Sequence, residues 1–239
     1  MNSYDQRHRN AHPDDRVLFD DQHLLRMQKA VYELCWLFNR GYSRHSAIKF
    51  VGDHNQLKQR QRVAIGRASC SDESKNFRNS KRLQLADIKN QHLIIDGFNL
   101  IITLEVAMAG AVLLRCRDGC IRDLASVHGT YRQVGETKAA IEMIGGTLAI
   151  FNPASVQFLL DKPVSNSGRL AQMVRSTSKI HGWNWQVELH DNPDEVISAS
   201  DKIAITSDSV ILDKVDHWLN LAAYLLDQRF QNTWLIDFS

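Results

Sequence analysis

Four predicted strands in the second part of this sequence end at or just before an acid. They occupy 93–95, 156–161, 185–190 and 202–205, and the acids at their ends are Asp96, Asp161, Asp191 or Asp194, and Asp208. The first, an apolar run without alternation, is typical of a strand buried on both faces of a parallel sheet. Parallel strands end at one edge of their sheet, and open α/β sheets bind ligands there. We therefore expect these carboxylates to lie together.

Carboxylates that converge repel one another, so a protein that gathers them normally neutralises them with a cation. Oxygen ligands without His or Cys favour Mg²⁺ or Mn²⁺. Such an ion can activate a water and stabilise the charge that develops on a phosphate. The alternative is that each Asp only caps the helix that follows it. Asn99 and Glu105, which follow Asp96, favour a site because a cap needs neither of them.

Strands alternate with helices from residue 91 onward, which predicts an α/β fold: a three-layer domain with a mostly parallel central sheet. Gly97 is expected to allow a sharp turn after the first strand. The segment 112–132 mixes Arg, Asp and Gly, so we expect a loop or hairpin that carries polar groups rather than a core element. A last strand is expected at 234–238.

Three helices are predicted before residue 69, and they would form a small all-α domain. They span about 17–40, a short stretch that Ser43 caps and Gly52 ends, and about 55–68. Lys58, Arg60, Arg62 and Arg67 make the third helix basic, which is typical of a helix-turn-helix-like unit that contacts nucleic acid. Of these, Lys58, Arg60 and Arg62 are the expected substrate contacts. A plain helical cap with solvated charges is the alternative.

Charge divides the chain near the same place. Residues 1–90 carry 17 Lys and Arg against 10 Asp and Glu, and residues 91–239 carry 12 against 17, which gives +7 and −5 within a net charge of +2. The basic part suits a polyanion and the acidic part suits cations. The polar residues 69–90 are the predicted linker. The expected domains are therefore 1–85, helical and basic, and 86–239, α/β.

The composition, with 44% hydrophobic and 8% aromatic residues, is that of a globular protein. No apolar run approaches the roughly 20 residues that span a bilayer, and the polar N-terminus is unlike a secretory signal. We expect a cytoplasmic protein with no membrane partner. The four scattered cysteines are expected to be reduced thiols.

Two motifs, IIDGFN at 94–99 and ITSD at 205–208, resemble the first and last acidic motifs of the PIN/NYN-like superfamily. The whole chain resembles a prokaryotic family of unknown function that pairs a small helical N-terminal domain with a PIN-like domain. The segments that carry this second resemblance are DGFN with 104–105, 115–119 with 122–123, 161–168, 192–194 and 206–209. The resemblance implies a three-layer PIN-like domain and a metal-dependent nuclease that acts mostly on RNA.

The expected site is a Mg²⁺ or Mn²⁺ centre. Asp96, Asp161 and Asp208 would be its ligands, and Asn99 and Ser207 would orient ligands or water. The resemblance also implies a further acid from a helix in the middle of the domain. Several acids compete to complete the set: Glu105, Asp118, Asp123, Glu136 and the strand-end residue Asp194.

Phosphate contacts are expected from two further groups. Arg115 and Arg122 could clamp a phosphate, or instead pair with Asp118 or Asp123. A helix start can bind phosphate through its hydroxyl and backbone donors, or those groups can simply cap it. The residues expected at such a start are Ser165, Ser167 and Gly168.

The function predicted from these features is a metal-dependent nuclease, with RNA as the expected partner and a homodimer left open. Two alternatives remain: a non-catalytic binder of nucleic acid or nucleotides, and a metal-dependent phosphohydrolase of a small substrate. A phosphatase with a DxD nucleophile is not supported, because Phe98 stands two residues after Asp96.

Overall fold

Two β-sheets organise the computed structural model, which describes residues 7–125 and 129–239. In chain order the strands are β1 (Arg82–Leu83), β2 (His92–Asp96), β3 (Leu113–Arg115), β4 (Ile121–Asp123), β5 (Ser155–Asp161), β6 (Trp185–His190), β7 (Ile203–Ile205), β8 (Trp218–Leu219) and β9 (Leu235–Asp237). The central sheet has the order β1-β8-β7-β2-β5-β6, and every neighbouring pair in it is parallel.

Helices precede and connect these strands. They are α1 (Asp15–Leu18), α2 (Asp21–Phe38), α3 (Arg44–His54), α4 (Gln59–Ala68), α5 (Asp72–Ser80), α6 (Gly97–Met108), α7 (Thr137–Phe151), α8 (Ser167–His181), α9 (Pro193–Ser198), α10 (Ser209–Leu212) and α11 (Leu221–Arg229), with a 3₁₀ helix at Leu85–Ile88. Ser43 caps α3, as predicted, by accepting a hydrogen bond from the Ser46 backbone N–H. None of the helices in the described ranges combines the length and apolar character that a membrane crossing requires.

The central sheet lies between two layers of helices. Successive residues of a strand point to opposite faces, so Leu93 and Ile95 join the core formed with α6, α7 and α8. Ile94 faces the other way and packs with residues of α9 and α10. The predicted α/β fold, with a parallel central sheet in three layers, is confirmed at this level.

The segment 112–132 forms a hairpin, but the prediction that it is not a core element is wrong. β3 pairs with β4 antiparallel and with β9 parallel, which makes a second sheet of three strands. Leu114 and Cys116 are fully buried and share a core with the N-terminal helices α2, α3 and α4. Residues 126–128 of this segment lie outside the described ranges, as do residues 1–6.

The predicted linker at 69–90 is instead folded. It contains α5, the edge strand β1 and the 3₁₀ helix. Arg78 of α5 is only 4% exposed, and its guanidinium pairs with Asp118 at 2.7 Å and with Asp213 at 2.6 Å. Arg78, one of the charges that made the segment resemble a linker, thus binds acids far away in the sequence, which local composition does not reveal.

Three N-terminal helices occur as predicted, α2, α3 and α4, but Gly52 does not end the second of them. α3 continues to His54. A Cβ at Gly52 would lie 2.9 Å from the Arg62 side chain, so the small residue lets that side chain pack against α3. All four cysteines are free and buried, as expected.

Candidate functional site

Asp96 is the last residue of β2 and the N-cap of α6. Gly97 follows it, and a Cβ there would lie 2.6 Å from the Leu159 carbonyl oxygen and would also meet the Phe158 ring. Glycine is therefore required because α6 begins directly against β5. The expected sharp turn does not explain the glycine as well, because Gly97 is not among the residues with a positive φ angle.

The Asp96 carboxylate is buried, with 8% of the residue exposed. One oxygen accepts from the Asn99 backbone N–H at 3.4 Å and the other accepts from the Thr206 hydroxyl at 2.8 Å. Burial raises the pKa of Asp96 to about 7, the Thr206 hydrogen bond opposes this, and the carboxylates of Asp194 and Asp208 add to it. Asp96 thus caps a helix and also lies near two other acids.

Asn99 and Ser207, which were expected to orient ligands or water, bind each other. The Asn99 side-chain oxygen accepts from the Ser207 backbone N–H at 2.9 Å and from its hydroxyl at 2.8 Å. This clasp holds the end of β7 against the first turn of α6. The Ser207 carbonyl in turn accepts from Arg122 Nε at 2.8 Å. These contacts fix the backbone that carries Asp208.

Asp208 caps α10, and one of its oxygens accepts from the backbone N–H groups of Val210 and Ile211. Its other oxygen has no hydrogen-bond partner among the described residues. The capping role that was the alternative is therefore present, and it leaves one carboxylate oxygen of Asp208 available to a ligand.

Asp161 lies on the same face of the sheet as Asp96, but further out. Asp96 is level with Leu159 on β5, so Asp161 lies two residues beyond it, about 7 Å along the strand. Burial raises the pKa of Asp161. The pKa of Asp194, at the start of α9, is raised by partial burial and then by Asp208 and Asp161.

β5 extends two residues beyond the level of Asp96, so the strand-end acids do not all lie at the same height, and this bears on metal binding. Within residues 7–125 and 129–239, no group of three or more His, Cys, Asp or Glu side chains is placed to hold a metal ion. The strand-end acids share one edge and one face, but they are spread along it. Asp191, the other acid weighed at that edge, is exposed and lies 3.5 Å from Lys162.

Glu105 is not at this site. It is fully buried, and its carboxylate binds Arg9 at 2.8 Å together with the hydroxyls of Tyr131 and Thr137. Glu136, which was also weighed, is 2.5 Å from His8 on the same side of the domain. The Glu105 carboxylate is occupied by structural contacts, whereas Glu136 Oε2 is buried without a hydrogen-bond partner among the described residues. The structure does not bring either residue to the strand-end acids, so neither completes a site there.

Asp118 is also structural. It is 1% exposed, and Arg78 and Arg122 both bind it at 2.7 Å. Burial would raise its pKa, but the two guanidinium groups outweigh burial and hold the pKa at about 2. An acid already neutralised by two buried arginines is a poor metal ligand, so Asp118 is excluded as well.

Asp123 lies closer to the candidate site. It accepts from the Thr103 hydroxyl at 2.9 Å and from the Ala125 backbone N–H at 2.8 Å. Burial raises its pKa, with Arg67 as the first opposing charge. Asp123 and Asp208 line one open cavity of about 320 Å³.

That cavity lies between the helical unit and the edge of the sheet. Asn99, Ser207 and Asp208 form one wall, and Arg44 and Arg67 come from α3 and α4 on the other. From the sequence, Arg67 was counted only among the basic residues of the third helix and Arg44 was not singled out, because only the packing of the helices brings them to the acids. Their contribution is positive charge beside the acids.

The other predicted phosphate ligands are placed differently. Arg115 lies on β3 and pairs with Asp227 at 2.6 Å, outside the cavity. Arg122 lines the cavity, but its donors go to Asp118, the Ser207 carbonyl and the Arg67 carbonyl. Arg115 is thus not brought to the site, and Arg122 acts as a positioning residue.

The expected serine site at the start of α8 is only partly open. Ser167 is buried and its hydroxyl donates to the Lys162 carbonyl at 3.4 Å, whereas Ser165 and Gly168 are exposed. Ser165 uses its backbone to pair with Thr130. The Ser167 hydroxyl is therefore not free to bind phosphate.

The basic helix α4 does not present the expected surface. Arg60 pairs with the buried Asp15, and Arg62 pairs with Asp53 at 2.6 Å. Lys58 is exposed at the N-cap of α4. Intramolecular acids thus bind two of the three residues that were expected to contact nucleic acid, and that contact stays a prediction for all three.

Comparison with known proteins places the chain in a family. The family model described as "Domain of unknown function (DUF5616)" matches residues 85–224. The chain belongs to the DUF5616 family. A second model, "Protein of unknown function (DUF434)", matches residues 26–81.

The uncharacterized protein MJ0935 of Methanocaldococcus jannaschii is a relative of this DUF5616 protein. The two are 33% identical over 190 residues, a match that covers 77% of this chain and 91% of the relative. No solved structure matches the chain. The four strand-end acids, Asp96, Asp161, Asp194 and Asp208, all lie within the DUF5616 match, and Arg44 and Arg67 lie within the DUF434 match.

Proposed function

We propose that this protein is a metal-dependent nuclease with a PIN-like fold, and that RNA is its substrate class. The observation that carries the proposal is the gathering of acids at the carboxyl edge of the parallel sheet. Asp96, Asp161, Asp194 and Asp208 share one edge. Burial is the main cause that raises the pKa of Asp96 to about 7, and the charges of Asp194 and Asp208 add to it. A protein gains nothing in stability from such crowding, which favours a ligand that the acids serve.

The donor chemistry suits a hard divalent cation. Carboxylate and hydroxyl oxygens surround Asp96, and Mg²⁺ commonly binds through one or two carboxylates while keeping several waters. Asp96 and Asp208 would hold the ion, and the more distant Asp161 and Asp194 would contact its waters. When bound, the ion would supply positive charge to a phosphate and lower the pKa of a bound water.

The protein's own residues have supporting tasks in this proposal. The Asn99–Ser207 clasp and Arg122 keep the end of β7 in place, so Asp208 keeps a fixed position next to Asp96. Arg44 and Arg67 give the cavity a positive wall for the phosphates of a polyanion. The charge of +7 on residues 1–90 supports the same kind of substrate.

A cleavage assay tests the proposal directly. Labelled single-stranded RNA, single-stranded DNA and a small phosphoester are incubated with the protein in Mg²⁺, Mn²⁺ or EDTA. We expect metal-dependent cleavage of RNA that Asp96→Asn and Asp208→Asn each abolish. Asp201→Asn is the matched control, because Asp201 is exposed and precedes β7 at the opposite edge of the sheet.

The outcomes separate the three functions. RNA binding without cleavage in any metal would favour the non-catalytic binder. Turnover of the small phosphoester alone would favour the phosphohydrolase. Cleavage that survives both Asp96→Asn and Asp208→Asn would overturn the assignment of these acids.

A further inference from the structure

A second cavity, of about 400 Å³, opens where α8 begins, and its charged lining residues are all arginines. They are Arg7, Arg132 and Arg169, and Asn166, Gln133 and Tyr131 lie between them. Within the described ranges, no carboxylate forms an ion pair with any of the three arginines. The arginines that line the candidate site, in contrast, already bind carboxylates or backbone carbonyls.

Backbone contacts hold the segment of Arg7 at the cavity. The Arg7 carbonyl accepts from the Gly135 N–H at 2.9 Å. Two residues later, Arg9 binds the buried Glu105 at 2.8 Å and donates to the Arg132 carbonyl at 3.2 Å. The N-terminal segment is thus tied down beside the cavity, and Arg7 is kept next to Arg132.

The loop before α8 is tied to the same place. The Tyr131 N–H donates to the Ser165 carbonyl at 3.0 Å, and the Asn166 side chain donates to the Tyr131 carbonyl at 2.9 Å. The backbone around Arg132 is therefore fixed against the helix start that carries Arg169.

The electrostatics of this cavity favour an anion. Arg169 is the third residue of α8, where the positive end of the helix dipole disfavours a cation. Three guanidinium groups around one cavity also repel one another. An oxyanion would relieve both effects, and the planar donors of arginine match phosphate oxygens.

A short loop joins the cavity to the candidate catalytic edge. The five-residue loop 162–166 joins Asp161, at the end of β5, to the start of α8. A strand whose reacting phosphate lies by Asp96 and Asp161 would need only to cross this loop to reach the arginines.

We propose that Arg7, Arg132 and Arg169 bind a phosphate of the same nucleic-acid strand, next to the site of cleavage. This proposal rests on the proposed nuclease function. It assigns phosphate binding near α8 to these arginines instead of the buried Ser167 hydroxyl. The shared chemistry is a phosphate oxyanion, which either a strand or a free phosphate could supply.

The test measures RNA binding in EDTA, where a metal-dependent enzyme does not cleave. A fluorescent 12-nucleotide RNA is titrated at several salt concentrations with the wild-type protein and with the double variant Arg132→Gln/Arg169→Gln. Each lost phosphate contact on a single strand lowers the slope of log K against log salt by about 0.7, so we expect a slope shallower by about 1.4. The double variant Lys179→Gln/Arg229→Gln removes the same charge from two exposed helix ends outside the cavity, and it should leave the slope nearly unchanged.

A second arm uses inorganic phosphate as the probe and follows its ³¹P line width with each protein. Loss of the RNA contacts in Arg132→Gln/Arg169→Gln supports the proposal, and Arg132→Lys/Arg169→Lys should restore most of the slope. An unchanged RNA slope in a folded variant overturns it, and so does an effect confined to inorganic phosphate, which would assign the cavity to a small phosphorylated ligand. Because binding is measured without metal, a missing nuclease activity would not affect this result.

Discussion

Burial of Asp96 should make the stability of the metal-free protein depend on pH. The folded-state pKa is about 7, against an ordinary value of 3.8. One pKa unit corresponds to about 1.36 kcal/mol, so ionisation of Asp96 costs the folded state about 4 kcal/mol relative to the unfolded chain. Asp96→Asn removes this cost while keeping a similar shape and an oxygen for the Asn99 N–H.

The sign follows from proton binding. Between pH 4 and 7 the folded protein holds a proton on Asp96 that the unfolded chain has lost, so the free energy of unfolding falls as pH rises. Above pH 7 both states are ionised and this contribution is constant. Asp96→Asn should therefore exceed the wild type in stability by an amount that grows from near zero at pH 4 to about 4 kcal/mol at pH 8.

Urea unfolding in EDTA at half-unit pH steps from 4 to 8.5 measures this difference. Asp201→Asn, with an exposed carboxylate, should show a difference that does not vary in this way. Saturating Mg²⁺ at pH 8 should then stabilise the wild type by about 2.7 kcal/mol at 100 times its dissociation constant, and should leave Asp96→Asn unaffected. A difference between Asp96→Asn and wild type that is constant across pH would refute the reasoning.

Three further predictions concern packing and the nucleic-acid surface. Gly97→Ala should lower the free energy of unfolding by about 1–3 kcal/mol, because its Cβ meets β5; an unchanged urea midpoint would contradict this. Arg78→Gln should cost about 3–5 kcal/mol because it removes one guanidinium from the buried Asp118, whereas Arg229→Gln, at an exposed helix end, should cost little in the same assay. Arg44→Gln should flatten the salt slope of RNA binding by about 0.7, while Arg62→Gln, already paired with Asp53, should not. The reverse order would assign the phosphate contact to Arg62 instead of Arg44.

The sequence predicted the parts of the site that depend on local pattern. Apolar runs followed by acids located β2, β5, β6 and β7, and parallel pairing then put Asp96, Asp161 and Asp208 on one edge. The relative height of those acids could not be predicted, because it depends on strand length and register. β5 runs two residues past the level of Asp96, and this stagger separates Asp161 from the other two.

Charged residues were the main source of error, since a sequence does not show which charges pair. Arg60, Arg78 and Arg115 each bind an acid distant in the chain, and Arg62 binds Asp53 nine residues away. The sequence had instead suggested nucleic-acid contacts for Arg60 and Arg62, a linker position for Arg78 and a phosphate clamp for Arg115. The prediction that Glu105 could be a metal ligand was wrong for the same reason, because its ion pair with Arg9 cannot be read from the sequence. The two-residue strand β8 was missed because so short a segment has no detectable period.

The second sheet also affects how this protein can fold as it is synthesised. β9 supplies Ile236 to the core beneath α2, α3 and α4, and Phe238, directly after β9, joins the same core. The ribosome makes those helices early and makes β9 only after the whole central sheet. We expect the N-terminal helices to keep an apolar face exposed until β9 has been synthesised and pairs with β3. The part of the chain that is made first is therefore among the last to become stable, and during that interval it would depend on chaperones or on rapid synthesis to avoid aggregation.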